Sequence, residues 1–318
     1  MRPTGKLHLG HFVGTLDNWV SLQKDYDCFF MVADWHALMS EYEDPQGMPA
    51  SIIDNVADWL SVGIDPAQST LFVQSDVPQH LDLNMIFSCL TPLGWLERCP
   101  TYKEQLREVR TRDLHTYGFL GYPVLQAADI LLYKADVVPV GEDQLPHVEL
   151  TRELARRFNS LYKSAVFPEP TAKLTVASRL TGLDGRKMSK SYNNTINLSD
   201  SQEIIRTKVQ SMITDPQRIK LSDPGHPDVC TVYSYYGIFA PDCIAQIRPL
   251  CLKASIGCTE CKKKLAAIVF DKLSPFQKKR ESLLANKNTI LDILADGAKR
   301  ARVVAQETLD DVRTAMKI

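Results

Sequence analysis

No stretch of the chain approaches the roughly 20 consecutive apolar residues that a membrane-spanning helix needs. The first residues also lack the basic, apolar and small-residue pattern of a secretory leader. Both absences lead to the expectation of a cytoplasmic protein with no membrane partner. Neither sign of charge predominates: 37 Lys and Arg stand against 38 Asp and Glu, for a formal net charge of −1. A uniformly basic nucleic-acid binder is therefore not indicated, although phosphate contact needs only a local patch. Internal repeats and low-complexity tracts are missing as well. In a cytoplasmic chain disulfides are not expected, so the eight cysteines need another account.

What is present is a 318-residue chain, 44% hydrophobic, long enough for a large domain plus a smaller one. Residues 11–25 have a helical apolar period, and 28–33 (CFFMVA) form a short continuous apolar run suited to a buried parallel strand. A helix is expected over 46–62, ending near Gly63, followed by a strand at 70–75. Helices are expected through 78–95 and 120–134, a strand at 136–140, and a helix from His147. This alternation predicts an α/β domain with a parallel sheet. Beyond about residue 200 helical segments dominate, and 288–316 reads as one amphipathic helix with a break near Gly297. A boundary is expected near 192–200.

Two segments suit phosphate chemistry, although each alone also reads as ordinary, a pair of surface histidines at a helix cap and a solvated lysine loop. RPTGKLHLGH, at 2–11, is a turn followed by the opening of a helix, with His8 and His11 three apart. A helix N-terminus offers free N–H groups to phosphate, and two imidazoles can donate to oxygens on which charge develops. Gly10 leaves room for a flat base to approach the backbone. GRKMSKS, at 185–191, places two lysines and two hydroxyls on one loop, able to neutralise a leaving pyrophosphate.

HLGH followed by KMSKS, in that order and separation, closely resembles the two signatures of the class I aminoacyl-tRNA synthetases. The blocks VADWHA (32–37), YPVLQAADILLY (122–133) and VPVGEDQ (138–144) resemble the tryptophanyl-tRNA synthetase group, along essentially the whole chain. The resemblance implies a Rossmann-like parallel-sheet catalytic domain over 1–195 and an all-helical anticodon-binding domain over 196–290. A C-terminal helix over 291–318 would pack back on the first. It implies activation of tryptophan with ATP and Mg²⁺, transfer to tRNA(Trp), and a homodimer. His8, His11, Lys187 and Lys190 match the catalytic groups. Arg2, Thr4, Gly10, His11, Lys103, Gly141, Asp143, Lys187, Met188, Ser189 and Lys190 match positions that hold ATP. Family members usually carry a short strand and a Ser-Gly turn ahead of RPTG. Here Met1 stands directly before Arg2, so the pocket wall that such a strand supplies has no assigned residues.

Tyr122, Gln126 and Asp129 share one face of an otherwise apolar helix, a costly arrangement unless the three groups are partnered. By resemblance, Asp129 accepts the indole N–H, Tyr122 and Gln144 hold the amino group and carboxylate, and His36 lies beside the pocket. A site built to bind an N–H rejects an analogue lacking it by on the order of 10⁴. A phenol could satisfy the same carboxylate, so chemistry alone leaves a tyrosine–tRNA ligase open. A non-catalytic nucleotide- or tRNA-binding paralogue and a small-metabolite nucleotidyltransferase are further alternatives. Amino-acid-dependent exchange separates all of these.

Cys28, Cys89 and Cys99 read as buried small hydrophobes. Cys251, Cys258 and Cys261 form a Cys-x6-Cys-x2-Cys pattern in a helix-poor stretch, with Cys230 upstream and Cys243 as a spare. Four thiolates can hold zinc or an iron–sulfur cluster. A subset of bacterial tryptophanyl-tRNA synthetases carries Cys-x22-Cys-x6-Cys-x2-Cys around a 4Fe-4S cluster. The last two spacings match, and the first gap is two residues shorter. The resemblance thus implies Cys230, Cys251, Cys258 and Cys261 as cluster ligands, with zinc the alternative. Lys262, Lys263 and Lys264 follow directly as a basic edge suited to tRNA.

Overall fold

Two parallel strand pairs frame the first half of the chain, in a computed structural model that describes residues 1–108, 113–174 and 180–318. Leu9–His11 (α1) runs through a π-helical turn, Phe12–Leu16, into Asp17–Leu22 (α2). Then follow β1 (Cys28–Val32), α3 (Asp34–Glu41), α4 (Met48–Val62) and β2 (Ser69–Val73). The helices α5 (Gln79–Leu90), α6 (Leu93–Glu97), α7 (Pro100–Glu108) and α8 (Tyr117–Leu131) lead to β3 (Val137–Val140), α9 (Leu145–Tyr162) and β4 (Thr171–Leu174). β1 pairs with β2, Cys28 opposite Ser69 and Val32 opposite Val73. β3 pairs with β4, Val137 opposite Thr171. Parallel partners need a crossover, and α3 and α4 provide one between β1 and β2.

The local reasons are readable. α4 carries Pro49 in its first turn and stops at Gly63, whose φ of +116° suits glycine. The helix expected over 78–95 is two helices, because Thr91-Pro92 cannot continue the ladder. α7 and β4 were not expected. α7 is mostly polar, and β4 is four residues long with most side chains exposed, so neither shows an apolar period.

The second half is helical: α10 (Gln202–Ser211), α11 (Thr231–Phe239), α12 (Ile244–Leu252), α13 (Cys258–Ala285) and α14 (Lys287–Met316). α14 shows no break at Gly297. A Cβ there would lie 1.8 Å from the carbonyl oxygen of Leu71, so the missing side chain lets the helix lie directly on β2. One hydrophobic core runs across both halves, joining Leu9, Val32 and Trp59 to Val209, Tyr235, Leu265 and Val269. Polar ties reinforce it. Arg280 on α13 donates to Asp58 on α4 at 2.7 Å and also meets Asp54, while Gln277 donates to the carbonyls of Leu198 and Asp200. Among the described residues no helix is long and apolar enough to cross a membrane.

Candidate active site

His8 and His11, far apart in sequence from the lysine loop, lie against it in space. The backbone N–H of Leu9 donates to Ile196 at 2.9 Å, and that of Leu198 donates to Leu7 at 2.9 Å, lacing the N-terminal segment to the chain just past the loop. Lys190 Nζ donates to the carbonyls of Thr4 and Gly5, both at 3.1 Å. A Cβ on Gly10 would sit 3.0 Å from the His8 ring and 3.7 Å from Cβ of Met188. Glycine at position 10 therefore leaves room for the His8 ring that caps the helix.

The two imidazoles have defined tautomers. His8 caps α1, its Nδ1 accepting from the Gly10 N–H at 3.1 Å, and Nδ1 of His11 accepts from the His8 N–H at 3.2 Å. Burial, then the nearby Lys190, lowers His8 to about 4. Burial, then His8 and Lys190, lowers His11 to about 2. Both rings are thus neutral at pH 7 with Nδ1 occupied, so each carries its proton on Nε2 as a donor. Their ring centroids lie 3.8 Å apart. Lys190 is lowered to about 8, by burial and then by the charge of Arg2. Lys187 is exposed.

A cavity of about 790 Å³ lies between β1 and β3, within the range of small-molecule sites. His36, Tyr122, Gln126, Asp129 and Gln144 all line it, together with Arg2 and Gly141. All five residues singled out for the amino-acid pocket are brought together. Arg2 borders this cavity while Thr4 and Gly5 receive Lys190, so the first five residues bridge the two motifs and the cavity. Asp129 is the most heavily partnered side chain there. His36 Nε2 meets its Oδ2 at 2.8 Å, while His80 Nδ1 and Gln74 Nε2 meet its Oδ1, both at 2.7 Å. Burial pushes this carboxyl up, but the hydrogen bonds from His36 and His80 outweigh burial and hold it at about 2.

Beyond Gly141 the carboxylate of Asp143 folds over the backbone. A Cβ on Gly141 would lie 2.7 Å from Asp143 Oδ1. Asp143 also accepts from Gln144 Nε2 at 3.0 Å. Lys103 is not part of this assembly. It stands exposed on α7, beside Glu104 and Arg107 and outside the cavity lining.

Sequence reading missed several participants. Gln74 and His80 support Asp129 from outside the cavity lining. His147, buried, meets the Tyr122 hydroxyl at 3.1 Å and the Cys99 sulfur at 3.7 Å. Asn194 braces the lysine loop. A single polar residue in an ordinary segment carries no periodic signal, and each of these is polar for a partner distant in sequence.

The cysteines differ in part from expectation. Cys99 is buried, but Cys28 is half-buried and Cys89 is exposed on the outer face of α5. Cys258 and Cys261 lie in the first turn of α13 rather than in a helix-poor stretch, because Gly257 starts that helix directly. Among the described residues no group of three or more His, Cys, Asp or Glu is arranged to hold a metal ion. Cys230, Cys251, Cys258 and Cys261 nevertheless lie within one another's electrostatic reach. Arg218 donates to Cys258 at 3.9 Å, and burial raises the Cys230 thiol against the lowering effect of the Tyr233, Val232 and Asp215 backbone amides. Lys262 donates to the Gln210 carbonyl at 2.9 Å and Lys264 pairs with Glu260, which occupies two of the three lysines of the basic edge.

Comparison with known proteins places these features in context. The family model for class I tRNA synthetases (W and Y) matches residues 1–274. The tryptophan–tRNA ligase of Thermotoga maritima is 49% identical over 321 residues, spanning 100% of this chain and 98% of its own length. That of Clostridium longisporum is 42% identical over 324 residues, spanning 100% and 95%. The crystal structure of tryptophanyl-tRNA synthetase from Campylobacter jejuni, complexed with ADP and tryptophan, aligns with a TM-score of 0.91. Its identity is 32%, with coverage of 100% and 98%. The tyrosyl-tRNA synthetase of Archaeoglobus fulgidus, at 19% identity and a TM-score of 0.67, shares the fold alone.

Proposed function

The chain belongs to the class I tRNA synthetases of the tryptophan and tyrosine family, and we propose that within it this protein is a tryptophan–tRNA ligase. The observation that carries the reading is the union of the His8/His11 pair with the Lys190 loop beside a cavity whose polar centre is Asp129. In the cavity Asp129 accepts the indole N–H. Tyr122, Gln126 and Gln144 hold the amino group and carboxylate, with His36 alongside. Gly141 and Asp143 take the ATP ribose, and Arg2, Thr4, Gly10, Met188 and Ser189 contribute to the nucleotide site. Lys103 could reach it only by moving from its position on α7.

Chemistry follows in two steps. The tryptophan carboxylate oxygen attacks the α-phosphorus of ATP in line, and the bond to the bridging oxygen breaks, releasing pyrophosphate with its Mg²⁺. The protein makes and breaks no bond of its own in this step. Nε2–H donors on His8 and His11 stabilise charge on the α-phosphate oxygens, and Lys187 and Lys190 neutralise the leaving group. A hydroxyl of the tRNA 3′-terminal ribose then attacks the acyl carbon, and AMP leaves. ATP–pyrophosphate exchange run with each of the twenty amino acids tests the assignment. Tryptophan-dependent exchange is expected, and exchange driven by tyrosine instead would overturn it.

The resident group proposed for the helical half is a 4Fe-4S cluster. The Cys-x6-Cys-x2-Cys spacing of Cys251, Cys258 and Cys261, with Cys230 upstream, carries the reading. The guanidinium at Cys258 and the backbone amides that oppose the raised Cys230 thiol also suit thiolates. Cys230, Cys251, Cys258 and Cys261 would hold it. The cluster would supply a rigid cross-link among α11, α12 and α13. A homodimer, residence in the cytoplasm, and division into a catalytic unit (1–195), an anticodon-binding unit (196–290) and a terminal helix (291–318) complete the proposal.

A further inference from the structure

Asp129 holds more partners than an indole acceptor requires, and they divide unevenly between its oxygens. Oδ1 takes both Gln74 Nε2 and His80 Nδ1, and Oδ2 takes His36 Nε2. Gln74 and His80 are fully buried and absent from the cavity lining, whereas His36 and Asp129 line it. A carboxylate only accepts, so His80 carries its proton on Nδ1. Its Nε2 meets the Tyr133 hydroxyl at 2.8 Å. Tyr133 also lines the cavity. A chain of hydrogen bonds thus runs from Tyr133 through His80 to the inner oxygen of Asp129.

We propose that His80 is a positioning residue for tryptophan selection: by filling Oδ1 it fixes the carboxylate plane, so that Oδ2 presents its remaining lone pair to the indole N–H. The proposal rests on Asp129 being the indole acceptor. A carboxylate free to rotate in this cavity would meet the indole at varied angles, and hydrogen bonds weaken steeply as they bend. His80 also opposes the burial that would protonate Asp129. The other ionisable groups facing Asp129 are His36 from α3, Tyr133 just past α8, and the Met1 ammonium, whose field reaches it.

The experiment measures KM for tryptophan, KM for ATP and kcat by ATP–pyrophosphate exchange from about pH 5.5 to 8. The full-length wild type is compared with His80→Leu, His80→Asn and Asp129→Asn. His80→Leu should raise the tryptophan KM about tenfold or more at neutral pH, with the ATP KM within about twofold. The rise should grow as pH falls, because the less supported carboxyl takes up a proton. His80→Asn, whose amide nitrogen can stand in for Nδ1, should restore most of the tryptophan KM and flatten the profile. The proposal is overturned if His80→Leu keeps the wild-type tryptophan KM while Asp129→Asn loses it. It is overturned equally if both His80 variants lose tryptophan and ATP affinity together, the mark of a general packing role. If Asp129→Asn leaves the tryptophan KM unchanged, the acceptor reading fails, and the proposal with it.

Discussion

The side chain of Asn194 holds Ser189 and Lys187 at once: its Oδ1 accepts the Ser189 N–H at 2.8 Å, and its Nδ2 donates to the Lys187 carbonyl at 3.1 Å. The same Nδ2 reaches Asp184 at 2.7 Å. Asn194 is 2% exposed, so water cannot replace these bonds at low cost.

Replacing Asn194 by Ala should therefore release the loop. Misplacing a charge-stabilising group by about 1 Å can cost about 10²-fold. Tryptophan activation is expected to fall about 10- to 100-fold, with a raised KM for ATP and a nearly unchanged KM for tryptophan. Exchange kinetics read all three values, and an unaltered KM for ATP would remove Asn194 from the machinery.

Lys190 predicts an alkaline limit. Burial, then Arg2, lowers its ammonium to about 8. The charge is present below that value and lost above it, so kcat/KM for ATP should decline as pH rises through about 8 in the free enzyme. Lys190→Arg keeps its charge and should move the decline to higher pH. A decline unmoved in that variant belongs to another group. His8 and His11, lowered to about 4 and about 2, should add no acid limb near neutrality.

Gly297→Ala tests the seating of α14. The added carbon would collide with the Leu71 carbonyl, and neither backbone can yield alone. Overpacking costs about 1–3 kcal/mol, occasionally more, and the upper end is expected here. Thermal unfolding should report a clearly lower Tm, and a wild-type Tm would mean that α14 sits further from β2.

The cysteine site predicts iron. Protein purified without oxygen should carry iron and sulfide with visible absorption, and Cys251→Ser should lose both. Stoichiometric zinc with no iron would refute the cluster. Thiols raised by burial, as Cys230, Cys251 and Cys261 are, must lose their protons on binding, so loading should weaken at lower pH.

Much of this was legible in the chain. The strand at 28–33, the helix stopped by Gly63 and the long final helix each follow from apolar period and a local breaker. Tyr122, Gln126 and Asp129 announced themselves as a polar stripe on an apolar helix. The break expected at Gly297 was a misreading of the same kind of signal: glycine there serves a neighbouring carbonyl, not a bend. α7 and β4 escaped because they bury too little to show a pattern.

By itself the sequence determined the α/β-then-helical order and the Tyr122, Gln126 and Asp129 stripe of the cavity. In each, the informative residues are near neighbours along the chain, and periodicity or spacing reveals them. Only the tertiary structure decided that Lys190 meets the Thr4 and Gly5 carbonyls, that both motif histidines accept at Nδ1, and that His80 and Gln74 fill one oxygen of Asp129. Those relationships join residues tens to nearly two hundred positions apart, or depend on which ring nitrogen the backbone occupies. A buried polar group must find its partner wherever folding brings one, and the spacing along the chain does not say where that is.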